Sequence, residues 1–283
     1  MKRYCGRDFS RQEIERIRSL ISDNPEFTRA ELSRQVCRML QWFKPDGGLK
    51  DMSCRVAMLR MHEDGLINLP KPRRSKAPLR KKVFTSATAP QKSIAHPVNK
   101  LPPIELRLVN QSNTCLWNEY IERYHYLGYT PLAGAQLRYF ICADDQIVAL
   151  TGFSAAAWQI LPRDKYIGWN HQQRQRNLHL ITSNARFLIL PWVKSKNLAS
   201  KILALTARKL PDDWESKYSV RPVLLESFVE TQRFEGTCYK AANWQIVGKT
   251  KGRGKLGPNR QSIPIKDIWL YPLNKKFRSI LKK

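Results

Sequence analysis

The stretch RFLILPWVKSKNLASKILALTARKL, Arg186 to Leu210, decides the fold. Its apolar opening is short and stops at Pro191, as a buried strand does. From Lys196 to Leu210 the spacing changes to that of an amphipathic helix. A buried strand followed at once by a helix is the building step of an α/β sheet domain. Downstream, PVLLESFV (Pro222–Val229) predicts another buried strand, FEGTCYKAANW a short helix and QIVGKT a strand. Upstream, TCLWNEYIERYHYLGY places Trp117, Tyr120, Ile121 and Tyr124 on one helical face. QLRYFICADDQIVALTGF reads as a hairpin about Asp144-Asp145. IGWNHQQRQRNLHLI reads as a helix. The order helix, hairpin, helix, strand, helix, strand, helix, strand predicts an α/β (α+β) domain with a mixed sheet over residues 104–283.

Residues 1–70 read differently. Ser10 precedes Glu13 by three residues, and Thr28 precedes Glu31 by three. Each pair is a capping box that starts a helix. A third helix is predicted from about Leu49 to Glu63, with Met52, Val56 and Leu59 on one face, and LINLPKPRR follows as an extended strip. Three short helices and a basic strip suggest a winged helix-turn-helix, with Lys50, Arg55 and Arg60 on the groove-facing helix. A small helical bundle with solvated arginines is the alternative. Between the two parts, residues 71–103 predict a basic, proline-punctuated linker. Nine Lys or Arg and no Asp or Glu fall in residues 71–100. Arg73 and Arg74 there could grip phosphates.

The charge points to the partner. Fifty Lys and Arg against 23 Asp and Glu give a formal +27 over 283 residues. Such a surplus repels itself and calls for a polyanion, DNA first. No apolar run approaches the roughly 18 residues that span a bilayer. MKRYCGRDFS lacks the apolar core of a signal peptide. The six cysteines are scattered, which suits reduced thiols in a cytoplasmic protein rather than a disulfide framework or a zinc site.

Two resemblances enter on particular stretches. LPWV, KNLASKIL and YKAANWQIVG resemble the back half of the GNAT acetyltransferase fold. That family's cofactor loop carries a glycine where Asn197 stands here, so the resemblance implies the fold and not acetyl transfer. LSRQVC, GGLKDMSCRVAML, YHYLGY, LRYF, RFLILPWV, NLASKIL and FEGTCYKAANWQIVGKTKGRGK resemble the DruA family, found in Druantia anti-phage systems and beside transposases. This resemblance implies a bacterial protein with a nucleic-acid partner, working with other proteins of a defence or transposition system.

The chemistry-bearing residues are few. Tyr239 lies among Lys240, Lys249, Lys251, Arg253 and Lys255. Cations near a phenol lower its pKa, and a tyrosine can attack phosphorus to cleave or join strands. The alternative is a Tyr239 packed under Trp244. Glu226 ends a predicted core strand, where a carboxylate must be paired or functional. His125, between aromatics, could act as general base or sit satisfied in the core. No metal-ligand spacing is present, and Mg²⁺ is the ion a carboxylate-based cleavage would use. Lys194, Lys196, Arg174 and Arg176 suit phosphate contact. Trp169, among polar and cationic neighbours, predicts an exposed ring for base stacking. A non-catalytic DNA reader that recruits a partner nuclease, helicase or transposase would need the same basic surfaces.

Overall fold

Ser10 and Thr28 start their helices as the sequence predicts. The Ser10 hydroxyl accepts from Glu13 N at 3.1 Å, and Ser10 N donates to the Glu13 carboxylate at 2.8 Å. Thr28 and Glu31 make the same reciprocal pair. The computed structural model describes residues 2–43, 47–72, 83–252 and 263–283. Arg73, Arg74, Arg253 and Lys255 lie outside them. The chain divides into two units, Met1–Lys82 and Val83–Lys283.

The first unit holds a hairpin, β1 (Lys2–Tyr4) and β2 (Arg7–Phe9), then α1 (Arg11–Asp23), α2 (Arg29–Met39) and α3 (Asp51–Glu63). The hairpin was not foreseen. Its turn, Cys5-Gly6, has both residues at positive φ, which suits the twist of a tight hairpin. Among the described residues of this unit no strand follows α3, so the expected extended strip forms no wing of sheet there. The apolar face of α3 is also corrected. Cys54, Ala57, Met58 and Met61 are buried with Phe9, Ile17 and Trp42. Met52, Val56 and Leu59 are exposed.

The second unit begins earlier than the sequence suggested. Residues 83–103, expected as linker, pack onto it. Thr88 is buried and bonds the Glu119 carboxylate at 2.6 Å, and Tyr124 donates to Thr88 O at 2.6 Å. Then come β3 (Ile104–Leu108), α4 (Thr114–Tyr124), β4 (Gln136–Ala143), β5 (Gln146–Ala155), α5 (Leu161–Ile167), α6 (His171–Asn177), β6 (Ile181–Ile189), α7 (Leu198–Tyr218), β7 (Leu224–Glu230), α8 (Thr237–Ala241), β8 (Gln245–Lys249), β9 (Lys266–Pro272) and α9 (Phe277–Leu281). The α/β class with a mixed sheet is observed. Seven described strands lie in the order β3-β4-β5-β6-β7-β9-β8. All neighbours are antiparallel except β6 and β7. α7 runs on past Leu210, through Pro211, to Tyr218. Trp214 packs in the main core beyond the proline, and Asp213 accepts from Tyr139 at 2.9 Å, which favours the extra turns.

Two features of the sheet place the site. The parallel pairing of β6 and β7 is short, from Ile181↔Leu224 to Asn184↔Ser227. Beyond it the strands separate. The cause is local: the β5/β6 register slips between Gly152 and Phe153, whose partners are Arg186 and Asn184, leaving Ala185 extra. A bulge bends its strand. The second feature is alternation. Leu225 and Val229 face the main core with α7 and Tyr239, whereas Leu224 faces the second core with Ile167, Trp169 and Phe277. Neighbouring residues on β7 therefore serve opposite faces.

Candidate functional site

The parting of β6 and β7 opens a cleft of about 690 Å³. That is the size of a small-molecule site. Its closed end is a buried polar chain. Tyr239 Oη donates to Asn184 Oδ1 at 2.9 Å, and Ser227 Oγ donates to Tyr239 Oη at 3.0 Å. Asn184 Nδ2 donates to Thr151 Oγ1 at 2.8 Å. Tyr239 is seated by α8, whose first turn follows Gly236, and its ring stacks on Trp269 with Trp244 at its edge. Burial pushes the Tyr239 phenol up, although Ser227 bonds it. The expected lowering by nearby cations is not what this environment gives: the ring is buried in the core, while Lys240, Lys249 and Lys251 are exposed.

Glu226 does not join Tyr239. It lies on the other face of β7, fully buried, and its Oε2 accepts from Arg163 Nη1 at 2.7 Å. Its Oε1 accepts from Ala157 N at 2.8 Å. Burial raises its carboxyl, with Arg163 opposing. Glu226 is thus a paired core carboxylate, and Ser227 is the residue that β7 presents to Tyr239. Alternation decides between them.

His125 lines the cleft and is 9% exposed. Burial, with Arg186 and Lys266 adding positive charge, pushes its imidazole down to about 4. Leu127 N donates to its Nδ1 at 3.2 Å. The neutral ring therefore carries its proton on Nε2 and offers a donor, so the general-base expectation meets no free basic nitrogen.

The cleft's cations were missed by the sequence reading: Arg186 from β6, Lys266 from β9 and Arg233 from the turn after β7. Arg186 Nη2 donates to Thr130 Oγ1 and Nη1 to Ala185 O. Burial pushes its guanidinium down. Arg233 Nε donates to Glu230 Oε1 at 3.0 Å, and its guanidinium lies over Tyr126. Tyr126 and Phe234 line the cleft as exposed rings. The signal was present in TQRFEG, as arginine next to an unexplained aromatic.

Other expected contacts are placed elsewhere. Trp169 is buried, and its Nε1 donates to Asp164 Oδ1 at 3.1 Å, which removes it as a stacking platform. Trp158 is the exposed tryptophan, with Arg174 over its ring. Arg174 is buried and paired with Asp164, so it is not a phosphate ligand, whereas Arg176 is exposed. Lys194 and Lys196 are exposed before α7. In the first unit Arg60 is exposed, Lys50 is half-buried and Arg55 lies 3.7 Å from Asp51. Among the described residues no three His, Cys, Asp or Glu converge as a metal site.

The family model for Druantia protein DruA matches residues 60–262. The chain belongs to the DruA family. Within this DruA-family chain the matched span includes the cleft's lining from His125 to Tyr239, and Lys266 lies beyond it. No curated protein matches the sequence. Solved structures that are similar include an N-acetyltransferase from Staphylococcus aureus Mu50, 8% identical, with a TM-score of 0.40, covering 60% of this chain and 98% of that one. A probable acetyltransferase from Staphylococcus epidermidis is 10% identical, with a TM-score of 0.40, covering 61% and 100%. A chimeric spermidine N-acetyltransferase from Vibrio cholerae is 10% identical, with a TM-score of 0.40, covering 62% and 98%.

In the loop before α7, Lys194 N donates to Ile94 O at 2.8 Å, and Leu198 N to Ser195 O at 3.3 Å. Val98 N donates to Lys196 O at 3.2 Å, so the segment from Ile94 to Val98 runs along the loop. Asn197 holds φ +66 where a glycine would be easier.

Proposed function

We propose that this DruA-family protein binds DNA in a mobile-element or anti-phage setting and serves as a recognition module for partner proteins. The observation that carries the reading is the cleft, where Arg186, Arg233 and Lys266 meet exposed Tyr126 and Phe234 in a chain of formal charge +27. Cations neutralise phosphate, and exposed rings accept bases. The first unit acts on duplex through its helices, with Arg60, Lys50 and Arg55 of the α3 region at the groove. Exposed Arg176, Lys194, Lys196, Lys240, Lys249 and Lys251 add backbone contacts.

A second reading is strand cleavage or joining with Tyr239 as nucleophile. It is favoured by Tyr239 lining this cleft. It requires the phenol to leave Asn184 and Ser227 and to lose its proton against burial. One experiment addresses both. End-labelled single-stranded, hairpin and duplex DNA are run on native and denaturing gels across salt, with and without Mg²⁺. Salt-dependent shifts without a denaturation-resistant band support recognition. Such a band, lost in Tyr239→Phe, supports catalysis. No shift with any DNA form overturns both.

A further inference from the structure

We infer that the cleft holds one unstacked base of a single DNA strand against Phe234, with the adjoining phosphate on Arg233. The inference rests on the DNA-binding reading and adds the form of DNA and the residues that select it.

Phe234 is 49% exposed at the cleft mouth, edge-on to Tyr126 at 5.5 Å. Tyr126 already has two ring partners. His125 stacks on it at 4.8 Å, and the Arg233 guanidinium lies 5.2 Å from its centroid. Phe234 is therefore the ring left to receive a flat ligand. Bases within a duplex have their faces covered by neighbours, so an exposed ring in a cleft selects a base that has left its stack.

Arg233 is positioned before any ligand arrives. Glu230 holds Nε at 3.0 Å and the Tyr126 ring holds the guanidinium plane, while the side chain stays 56% exposed. A guanidinium fixed in this way presents its fork to a phosphate oxygen pair. The turn that carries both residues is itself fixed. Arg233 N and Phe234 N both donate to Glu230 O, Thr231 N donates to Ile265 O, and Gly236 closes the turn at φ +72 against Trp269. A platform that needs no ordering on binding loses little affinity to entropy. The volume of about 690 Å³ admits a nucleotide.

The test uses the full chain and fluorescent oligonucleotides of one sequence as single strand, blunt duplex and single strand with abasic sites. Phe234→Ala is expected to weaken single-strand binding by about 5- to 150-fold, the range given by loss of one base–aromatic stack. Duplex binding should change less than about twofold, the error of such a comparison. Phe234→Trp should retain single-strand binding, and Arg233→Lys should lose part of it. On the abasic strand Phe234→Ala should have no further effect. If Phe234→Ala is neutral on the single strand, or weakens all three ligands alike, the inference falls while salt-dependent DNA binding stands. If the wild-type chain binds none of the ligands, the DNA-binding reading falls with it.

Discussion

Tyr239 Oη donates to Asn184 Oδ1 at 2.9 Å, at the point where β6 and β7 lose their pairing. Together with the bond from Ser227 it closes the cleft with satisfied polar groups rather than with a poised anion. A buried phenol with two partners behaves as a fastener between β6, β7 and α8.

Tyr239→Phe should therefore cost stability and not binding. The change leaves Asn184 Oδ1 without its donor in a buried setting, worth about 1–3 kcal/mol. Urea unfolding should show that loss, while DNA affinity stays within about twofold, inside the error of comparing two measurements. A covalent DNA adduct in the wild type that vanishes in the variant would put the nucleophile reading first.

Much of this was legible in the sequence, and the exceptions share a cause. Ser10–Glu13 and Thr28–Glu31 are local devices, so they were readable. The turn at Asp144-Asp145 was readable for the same reason. Met52, Val56 and Leu59 were placed on the right helix but on the wrong side of it. The spacing of an apolar stripe does not say which stripe meets the core when Cys54, Ala57, Met58 and Met61 offer another. Glu226 and Tyr239 were both read as candidates for chemistry. Alternation along β7 separates them, and that follows only once the strand's register is known. Arg186, Arg233, Lys266 and Phe234 meet through a bulge and a strand order that no local pattern encodes.

The Glu226–Arg163 pair predicts a stability defect without a binding defect. Both side chains are fully buried, and the bond is 2.7 Å. Glu226→Gln leaves Arg163 with Asp164 Oδ1 at 2.9 Å as its remaining carboxylate, and loss of a hydrogen bond between charged groups costs about 1.5–3 kcal/mol. The double change Arg163→Met, Glu226→Leu should recover part of that loss. Thermal unfolding checks both. A catalytic Glu226 would instead show lost activity in a protein of unchanged stability.

His125 predicts a pH dependence. Its folded pKa of about 4 lies below the ordinary 6.5, because burial disfavours the charged ring. The unfolded chain therefore binds the proton first as pH falls. The stability that depends on a neutral His125 is complete above about pH 6.5 and declines down to about pH 4. Between pH 7 and pH 5 the wild type should lose about 2 kcal/mol through this residue alone. His125→Gln should flatten that part of the curve in urea titrations at the two pH values. An unchanged slope would mean that the ring is solvated.

Gly236 links the floor of the cleft to its mouth. It holds φ +72, and a Cβ added there would lie 2.5 Å from Trp269 Cζ2. Neither the backbone nor the packed indole can yield cheaply, so Gly236→Ala should destabilise the chain by about 1–3 kcal/mol. The strain falls between Tyr239, which stacks on the same Trp269, and the turn that carries Arg233 and Phe234. Relaxing it must move one of them. If the turn moves, single-strand affinity falls while duplex affinity does not, as for Phe234→Ala. If the floor moves, the cost appears in unfolding alone, as for Tyr239→Phe. Measuring both on one variant shows whether the platform's placement depends on the glycine.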